Sequence, residues 1–267
     1  MKAVAVFVSM LALSIGAAAS ANEDNAMNEL VPTGKLRVGV AYAPAPTPVF
    51  VTKDAAGHVH GVPRDLGIAL AKALGVTIEL VVAATTGELT NACSSGAIDV
   101  AFMPADDERR KRVDFSPPYF LIKSTYLAAG SSDIKTLADV DRPQVTVVGI
   151  AGSTTIRAAG RSLKIAKIIA ARSVDEAMAM MKAGTAQAFA LTHDALPSLQ
   201  TQLPGSRILD GAFQTNGVAL AVRKGHPTAL AYIKEFIETA KANGIVRRAF
   251  DDAGLNGLSI APLEPRN

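Results

Sequence analysis

Residues 103–119 read Met103-Pro104-Ala105-Asp106-Asp107-Glu108-Arg109-Arg110-Lys111-Arg112-Val113-Asp114-Phe115-Ser116-Pro117-Pro118-Tyr119. They follow directly on the apolar run Ile98-Asp99-Val100-Ala101-Phe102-Met103, which has the length and composition of a buried strand. The turn after it therefore lies at the carboxyl end of a strand, the edge at which α/β folds place their ligands. Working back, residues 88–95 read as a helix stopped by Gly96, and residues 76–82 as a strand buried on both faces. Before them come a helix running from Asp65 to its stop at Gly75, a hairpin turning at Asp54-Ala55-Ala56-Gly57, and a first strand over residues 35–41. Downstream the pattern repeats. Residues 144–150, 165–171 and 186–191 read as strands, and residues 154–163 and 173–182 as helices. The second helix opens on the capping box Ser173-Val174-Asp175-Glu176. A strand over residues 217–222 and helices over 227–242 and 245–253 close the chain. Two runs of alternating strand and helix predict α/β architecture with mostly parallel sheets flanked by helices.

The first residues bear on the compartment. Met1-Lys2, the apolar residues 3–19, Ala19-Ser20-Ala21 and the polar Asn22-Glu23-Asp24-Asn25 follow the grammar of a cleavable secretory signal. The apolar run is short for a membrane span, and acid rather than base follows it. Residues 1–21 are expected to be a signal peptide and residues 22–33 a flexible lead-in, with the mature protein in the periplasm.

The net charge of +3 at pH 7 is too weak to point to nucleic acid or an acidic membrane surface. Tryptophan is absent and aromatics make up 5% of the chain, so stacking platforms for sugars or bases are scarce. Cys93 is the sole cysteine, which excludes an internal disulfide, and its setting reads as a packed thiol.

Three stretches could carry chemistry. In the first, the Arg109 guanidinium is suited to holding a planar carboxylate by two parallel hydrogen bonds. The same stretch also reads as a solvated basic helix end paired with Asp106, Asp107 and Glu108. The second is Gly149-Ile150-Ala151-Gly152-Ser153-Thr154-Thr155, between a strand and a helix. Its glycines allow close backbone approach, and the helix start offers free N–H groups to an anion, although Ser and Thr are also ordinary caps. The third is Thr192-His193-Asp194. Asp194 reads as an N-terminal helix residue rather than a catalyst, and no cluster has metal-ligand spacing. No nucleophile elbow, Walker loop or dinucleotide fingerprint occurs.

Together these residues resemble the family 3 extracytoplasmic solute-binding proteins, the polar-amino-acid receptors of ABC importers. Gly34-Lys35-Leu36-Arg37-Val38-Gly39-Val40 is similar to that family's first strand. Gly61-x-x-x-Asp65-Leu66 is similar to its glycine–aspartate element. Most specific is Glu108-Arg109-x-x-x-Val113-Asp114-Phe115-Ser116-x-Pro118-Tyr119, which resembles the family signature. Gly152-Ser153-Thr154-Thr155 is similar to its second anion loop. The resemblance implies a two-lobe periplasmic-binding-protein fold of type II. Lobe 1 would be residues 34–126 and 221–267, lobe 2 residues 127–220, with hinge strands near Tyr126 to Ala128 and Val218 to Leu220.

The same resemblance implies that Arg109 grips a ligand carboxylate, with Thr154 and Ser153 at the second-lobe loop. Tyr42, Thr86, Pro104, Thr192 and Asp194 complete the expected ligand contacts. Pro104 stands where a hydroxyl residue is common, and Thr86 where an aromatic is. Thr192 stands where the family usually has an aspartate for the ligand's α-ammonium, with Asp194 two residues on. The expected function is capture of a small carboxylate solute for an inner-membrane ABC permease by a monomer with no cofactor, metal or nucleic acid. Two alternatives share the fold. One is a cyclohexadienyl dehydratase-like enzyme, with Glu88 or Asp194 as the candidate acid. The other is a sensory binding protein.

Overall fold

Val38, Val40 and Val100 have no solvent exposure because the strands that carry them lie side by side and are covered on both faces. The computed structural model describes residues 25–42 and 47–265. The expected signal peptide lies outside them. β1 (Lys35–Ala41) pairs in parallel with β4 (Thr77–Ala83) on one side and β5 (Val100–Pro104) on the other. A second parallel trio consists of β7 (Thr146–Ile150), β8 (Lys167–Ala171) and β9 (Ala188–Thr192). Two long antiparallel strands, β6 (Val113–Ala128) and β11 (Gln214–Arg223), join the trios into one ladder, ordered β4-β1-β5-β11-β6-β9-β7-β8. The short β10 (Arg207–Ile208) pairs with β6, and β2 (Thr52–Lys53) and β3 (Val59–His60) form a separate hairpin.

Each trio has an apolar cluster on both faces, which makes two lobes. One face of the first trio is covered by α2 (Val62–Ala73), α8 (Pro227–Ala242) and α9 (Ile245–Asp252), through residues such as Leu66, Ile233 and Phe250. The other is covered by α3 (Thr86–Ser95), through Leu89 and Cys93. Burial pushes the Cys93 thiol up to about 12, consistent with an inert packed group. On the second trio, α6 (Val174–Lys182) and α7 (Leu196–Gln200) bury Met178, Met181 and Leu196. α5 (Thr154–Ser162) buries Ala159 on the opposite face.

Two local readings differ from the sequence expectation, and one long strand was not anticipated. The strand β4 is an edge of the ladder and only half-buried, because it pairs with β1 alone. Residues 25–30, expected as flexible, form a helix, α1, whose Leu30 is fully buried in the first core. Its Glu29 Oε2 accepts the Ala229 N–H at 2.7 Å and so satisfies a free donor at the start of α8. The strand β6 runs through Pro117 and Pro118, which cannot donate to a ladder. The β11 register shifts between Val218 and Ala221, opposite these prolines, and Ser116 Oγ accepts the Leu220 N–H at 3.1 Å in place of a ladder carbonyl. The strand β6 pairs with β11 up to Ser124 and with β9 from Ser124 to Ala128, so it passes from one lobe into the other.

Gly61 caps α2 at φ 135, where a Cβ would fall 2.1 Å from the Phe50 carbonyl oxygen. Gly61→Ala should therefore cost roughly 3 kcal/mol and lower the melting temperature by about 10 °C. Thermal unfolding followed by circular dichroism checks this. A shift below about 2 °C would show that the Pro48 to Phe50 backbone yields instead.

Candidate ligand-binding site

Every parallel strand sends the residues after its carboxyl end to one place, as α/β topology dictates. Tyr42 follows β1, Ala84 to Thr86 follow β4, and Pro104 ends β5. Ala151 and Ser153 to Thr155 follow β7, Arg172 to Asp175 follow β8, and Thr192 ends β9. With Phe50, Ile150 and Leu191, they line a cavity of about 240 Å³ between the lobes.

Its walls are hydroxyl-rich and apolar. Thr85 Oγ1 caps α3 by accepting the Glu88 N–H at 3.2 Å, and Ser153 Oγ caps α5 by accepting the Ile156 N–H at 3.1 Å. The positive ends of two helix dipoles therefore open at the cavity wall. Thr154 is buried beside it, and Thr155 Oγ1 lies 3.2 Å from Ser124 Oγ. Tyr42 Oη is buried at this wall with no hydrogen-bond partner among the described residues, and Thr192 Oγ1 is buried there close to the Asp194 carboxyl without a hydrogen bond of normal geometry. Such orphaned polar atoms are costly unless a ligand meets them. Two charged side chains reach the mouth. Arg172 pairs with Glu176 at 3.1 Å and is largely solvated, and Asp175 is exposed.

Arg109 lies one hydrogen bond behind the wall. The chain turns after β5 into the single-turn α4 (Asp107–Arg110), capped by Asp106 Oδ1, which accepts the Arg109 N–H at 3.0 Å. The turn folds the Arg109 side chain inward until it is 3% exposed. Its Nη1 donates to the Pro104 carbonyl at 2.6 Å. Its Nη2 donates to Thr86 Oγ1 at 2.8 Å and to the Gly152 carbonyl at 3.2 Å.

Arg157, on α5, donates through Nε and Nη2 to Asp106 and through Nη1 to the same Gly152 carbonyl at 3.0 Å. Burial opposes ionisation of Asp106, but the Arg109 N–H and the Arg157 guanidinium hold its carboxyl below the usual range. For Arg109, burial and then the nearby Arg157 push the pKa down to about 10, so it stays charged at neutral pH. The Asp106 carboxylate pairs with Arg157, while the Arg109 guanidinium bonds only neutral acceptors, so one positive charge behind the cavity wall has no ion-pair partner among the described residues.

Of the sequence candidates, Tyr42, Thr86, Pro104, Ser153, Thr154 and Thr192 line the cavity, and Arg109 touches it through Thr86 and Pro104. Asp194 is not among the lining residues of this cavity. It borders a separate hollow lined by Phe120 to Lys123 and Gly257 to Ile260, and its carboxyl lies near Thr47 and Thr192. Its carboxyl oxygens are buried with no hydrogen bond of normal geometry among the described residues. Burial raises its pKa, and the nearby Thr47 and Thr192 only partly oppose the shift. Glu88 Oε2 accepts the Ala84 N–H at 3.1 Å, a capping contact rather than an acid held in the cleft. Phe50 and residues 172–175 were absent from the sequence candidates. Their position after β8, matching that of Thr86 after β4, is the signal that could have found the latter.

Two covered parallel trios, joined by long strands and enclosing a chamber of hydroxyl and apolar groups at their carboxyl ends, define a hinged solute-binding fold. Residues 36–252 match the family of bacterial extracellular solute-binding proteins, family 3, and the chain belongs to that family. It is 28% identical to the glutamine-binding protein of Geobacillus stearothermophilus over 71% of this chain and 72% of that one. Among solved structures it is similar to a mutant of ArgBP from T. maritima, with TM-score 0.72 and 26% identity over 86% of this chain and 99% of that one. It is also similar to AncCDT-1, an ancestral amino acid-binding protein and precursor of cyclohexadienyl dehydratase. That match has TM-score 0.71 and 30% identity over 85% of this chain and 98% of that one.

Proposed function

We propose that this protein is the periplasmic receptor of an ABC importer, secreted through a signal peptide at residues 1–21. It captures a small carboxylate-bearing solute without turning it over and hands it, as a monomer, to an inner-membrane permease. Residues 34–126 and 221–267 would form one half of the clamp and residues 127–220 the other. The observation that carries the ligand class is the uncompensated charge of buried Arg109, beside two helix N-termini and a hydroxyl-lined chamber. A carboxylate entering the chamber would replace Thr86 Oγ1 or the Gly152 carbonyl at the Arg109 guanidinium. The other end of the solute would meet Tyr42 and Thr192, neutral hydroxyls that suit a carbonyl or hydroxyl better than an ammonium. The relatives' amino-acid ligands bring the solute close to amino acids in size, and Thr192 sets it apart from them in charge. Mass spectrometry of small molecules released by denaturing the purified protein should yield a carboxylate lacking an α-amine. Release of a cationic amine or a neutral sugar would reject the assignment.

A further inference from the structure

The two faces of each sheet divide the chamber into a polar side and an apolar side. Successive residues of a strand point to opposite faces. On β9, Thr192 lies beside Ser124, whose Oγ is 3.2 Å from Thr155 Oγ1, so this face meets the hydroxyls at the start of α5. Leu191, one residue back, points the other way, into the buried cluster that also holds Ile150 and against which Val174 packs. The first lobe divides in the same manner. Ala41 belongs to the cluster on the α3 side, and Val40 to the one opposite, which holds Phe50. The polar sides of the two lobes meet where Arg109 reaches Thr86 at the start of α3 and the Gly152 carbonyl before α5. Phe50, Ile150, Val174 and Leu191 border the same chamber from the other faces. The charged residues that line it, Arg172 and Asp175, are exposed at its mouth, and Arg172 is already paired with Glu176.

We infer that Phe50, Ile150, Val174 and Leu191 form a specificity subsite that selects a solute whose tail is uncharged and apolar. The inference rests on the carboxylate reading above, because Arg109 fixes which end of the solute lies on the polar side. A carboxylate held there sends the rest of the molecule past Tyr42 and Thr192 towards the opposite faces of the sheets. An amide, ammonium or guanidinium tail in that place loses its water and finds neither donor nor acceptor on the four side chains. A branched aliphatic tail of the same size loses nothing polar and gains the contacts of buried apolar groups. Binding sites of this kind orient a ligand through a few polar groups and judge its bulk with an apolar wall. Ile150 and Leu191 are held by the core of the second lobe and Phe50 by that of the first, so the wall is rigid and its selectivity is built in.

The test is calorimetry of the full chain with two tails of the same shape, each in two series. L-leucine and its 2-hydroxy analogue carry two methyl groups where L-asparagine and its 2-hydroxy analogue carry an amide oxygen and nitrogen. In whichever series binds, the leucine-type acid should bind about tenfold or more tightly than the asparagine-type acid. Taking the ratio within a series cancels the contribution of the α-substituent. Val174 is half-buried at the first position of α6, outside the strand cores, so Val174→Asn changes the subsite with little risk to the fold. That variant should lower the ratio by about fivefold or more, whereas a merely structural role would weaken both acids alike. A wild-type ratio below about threefold, a reversed ratio, or binding of none of the four acids would overturn the apolar subsite. A ratio unchanged in Val174→Asn would overturn it as drawn here. Failure of the carboxylate reading has a different signature. The carboxamide of the better-binding acid would then bind as tightly as the acid itself, and the preference between tails would remain.

Discussion

Replacing Arg109 with alanine should weaken binding of a carboxylate solute by about a hundredfold or more, as measured by calorimetry. The guanidinium is buried at the junction of the lobes and carries the charge that Asp106 leaves unmatched. A charge-assisted contact in a desolvated setting is worth more than one at the surface, and the variant also removes the Arg109 donor from the Pro104 carbonyl, whereas the Gly152 carbonyl keeps Arg157. Arg109→Lys should fall between, losing about tenfold or more, because an ammonium keeps the charge but lacks the planar fork that reaches Pro104, Thr86 and Gly152 together. Affinity within about threefold of wild type for Arg109→Ala would place the carboxylate elsewhere, with the α5 helix start as the next candidate.

The parts of this architecture that local chemistry controls were legible before any coordinates. Gly96 and Gly184 take the left-handed backbone expected after a helix, at φ 79 and φ 71. Ser173 caps its helix through the Glu176 N–H as the capping pattern requires. The alternation of strand and helix gave the two parallel trios, because strand and helix periods are local properties. Features decided by distant partners were not legible. The full length of β6 was not read from the sequence, because Pro117 and Pro118 cannot donate to a ladder and are tolerated only where the β11 register shifts opposite them. The burial of β4 was overestimated, since its apolar composition does not reveal that it has one neighbour. The Asp106–Arg157 pair joins residues whose charges looked local. Asp106 stood in an acidic run beside Arg109, and only closure of the two lobes brings Arg157 to it. In the site, the loop residues at strand ends were found because topology puts them there. Arg109 was placed at the junction, but its position behind Thr86 depends on a side-chain path that sequence does not encode.

Thr192→Asp should reverse the selectivity between amino acids and their deaminated counterparts. Thr192 ends β9 at the cavity wall, its Oγ1 buried close to the Asp194 carboxyl without a hydrogen bond of normal geometry. An α-ammonium placed there loses its water and gains only a neutral hydroxyl, a poor exchange in a closed chamber. The wild type should therefore bind 2-oxo and 2-hydroxy acids about tenfold or more tightly than the matching L-amino acids. An aspartate at the same position would supply the missing counter-charge and strengthen ammonium binding. It would also place a carboxylate across the chamber from the ligand's own, which penalises the deaminated acids. The two effects act in one direction, so the ratio of affinities should move by about a hundredfold or more. Calorimetry with L-glutamine, L-arginine and their 2-oxo and 2-hydroxy analogues, on both proteins, measures that ratio. The competing source of charge is Asp194, whose buried carboxyl lies near Thr192 and is held towards its neutral form by desolvation. Micromolar binding of a standard L-amino acid to the wild type, with its deaminated analogue much weaker, would show that Asp194 serves the ammonium after all. Asp194→Asn should then abolish that binding, whereas with the ammonium site absent it should leave the preference for deaminated acids in place.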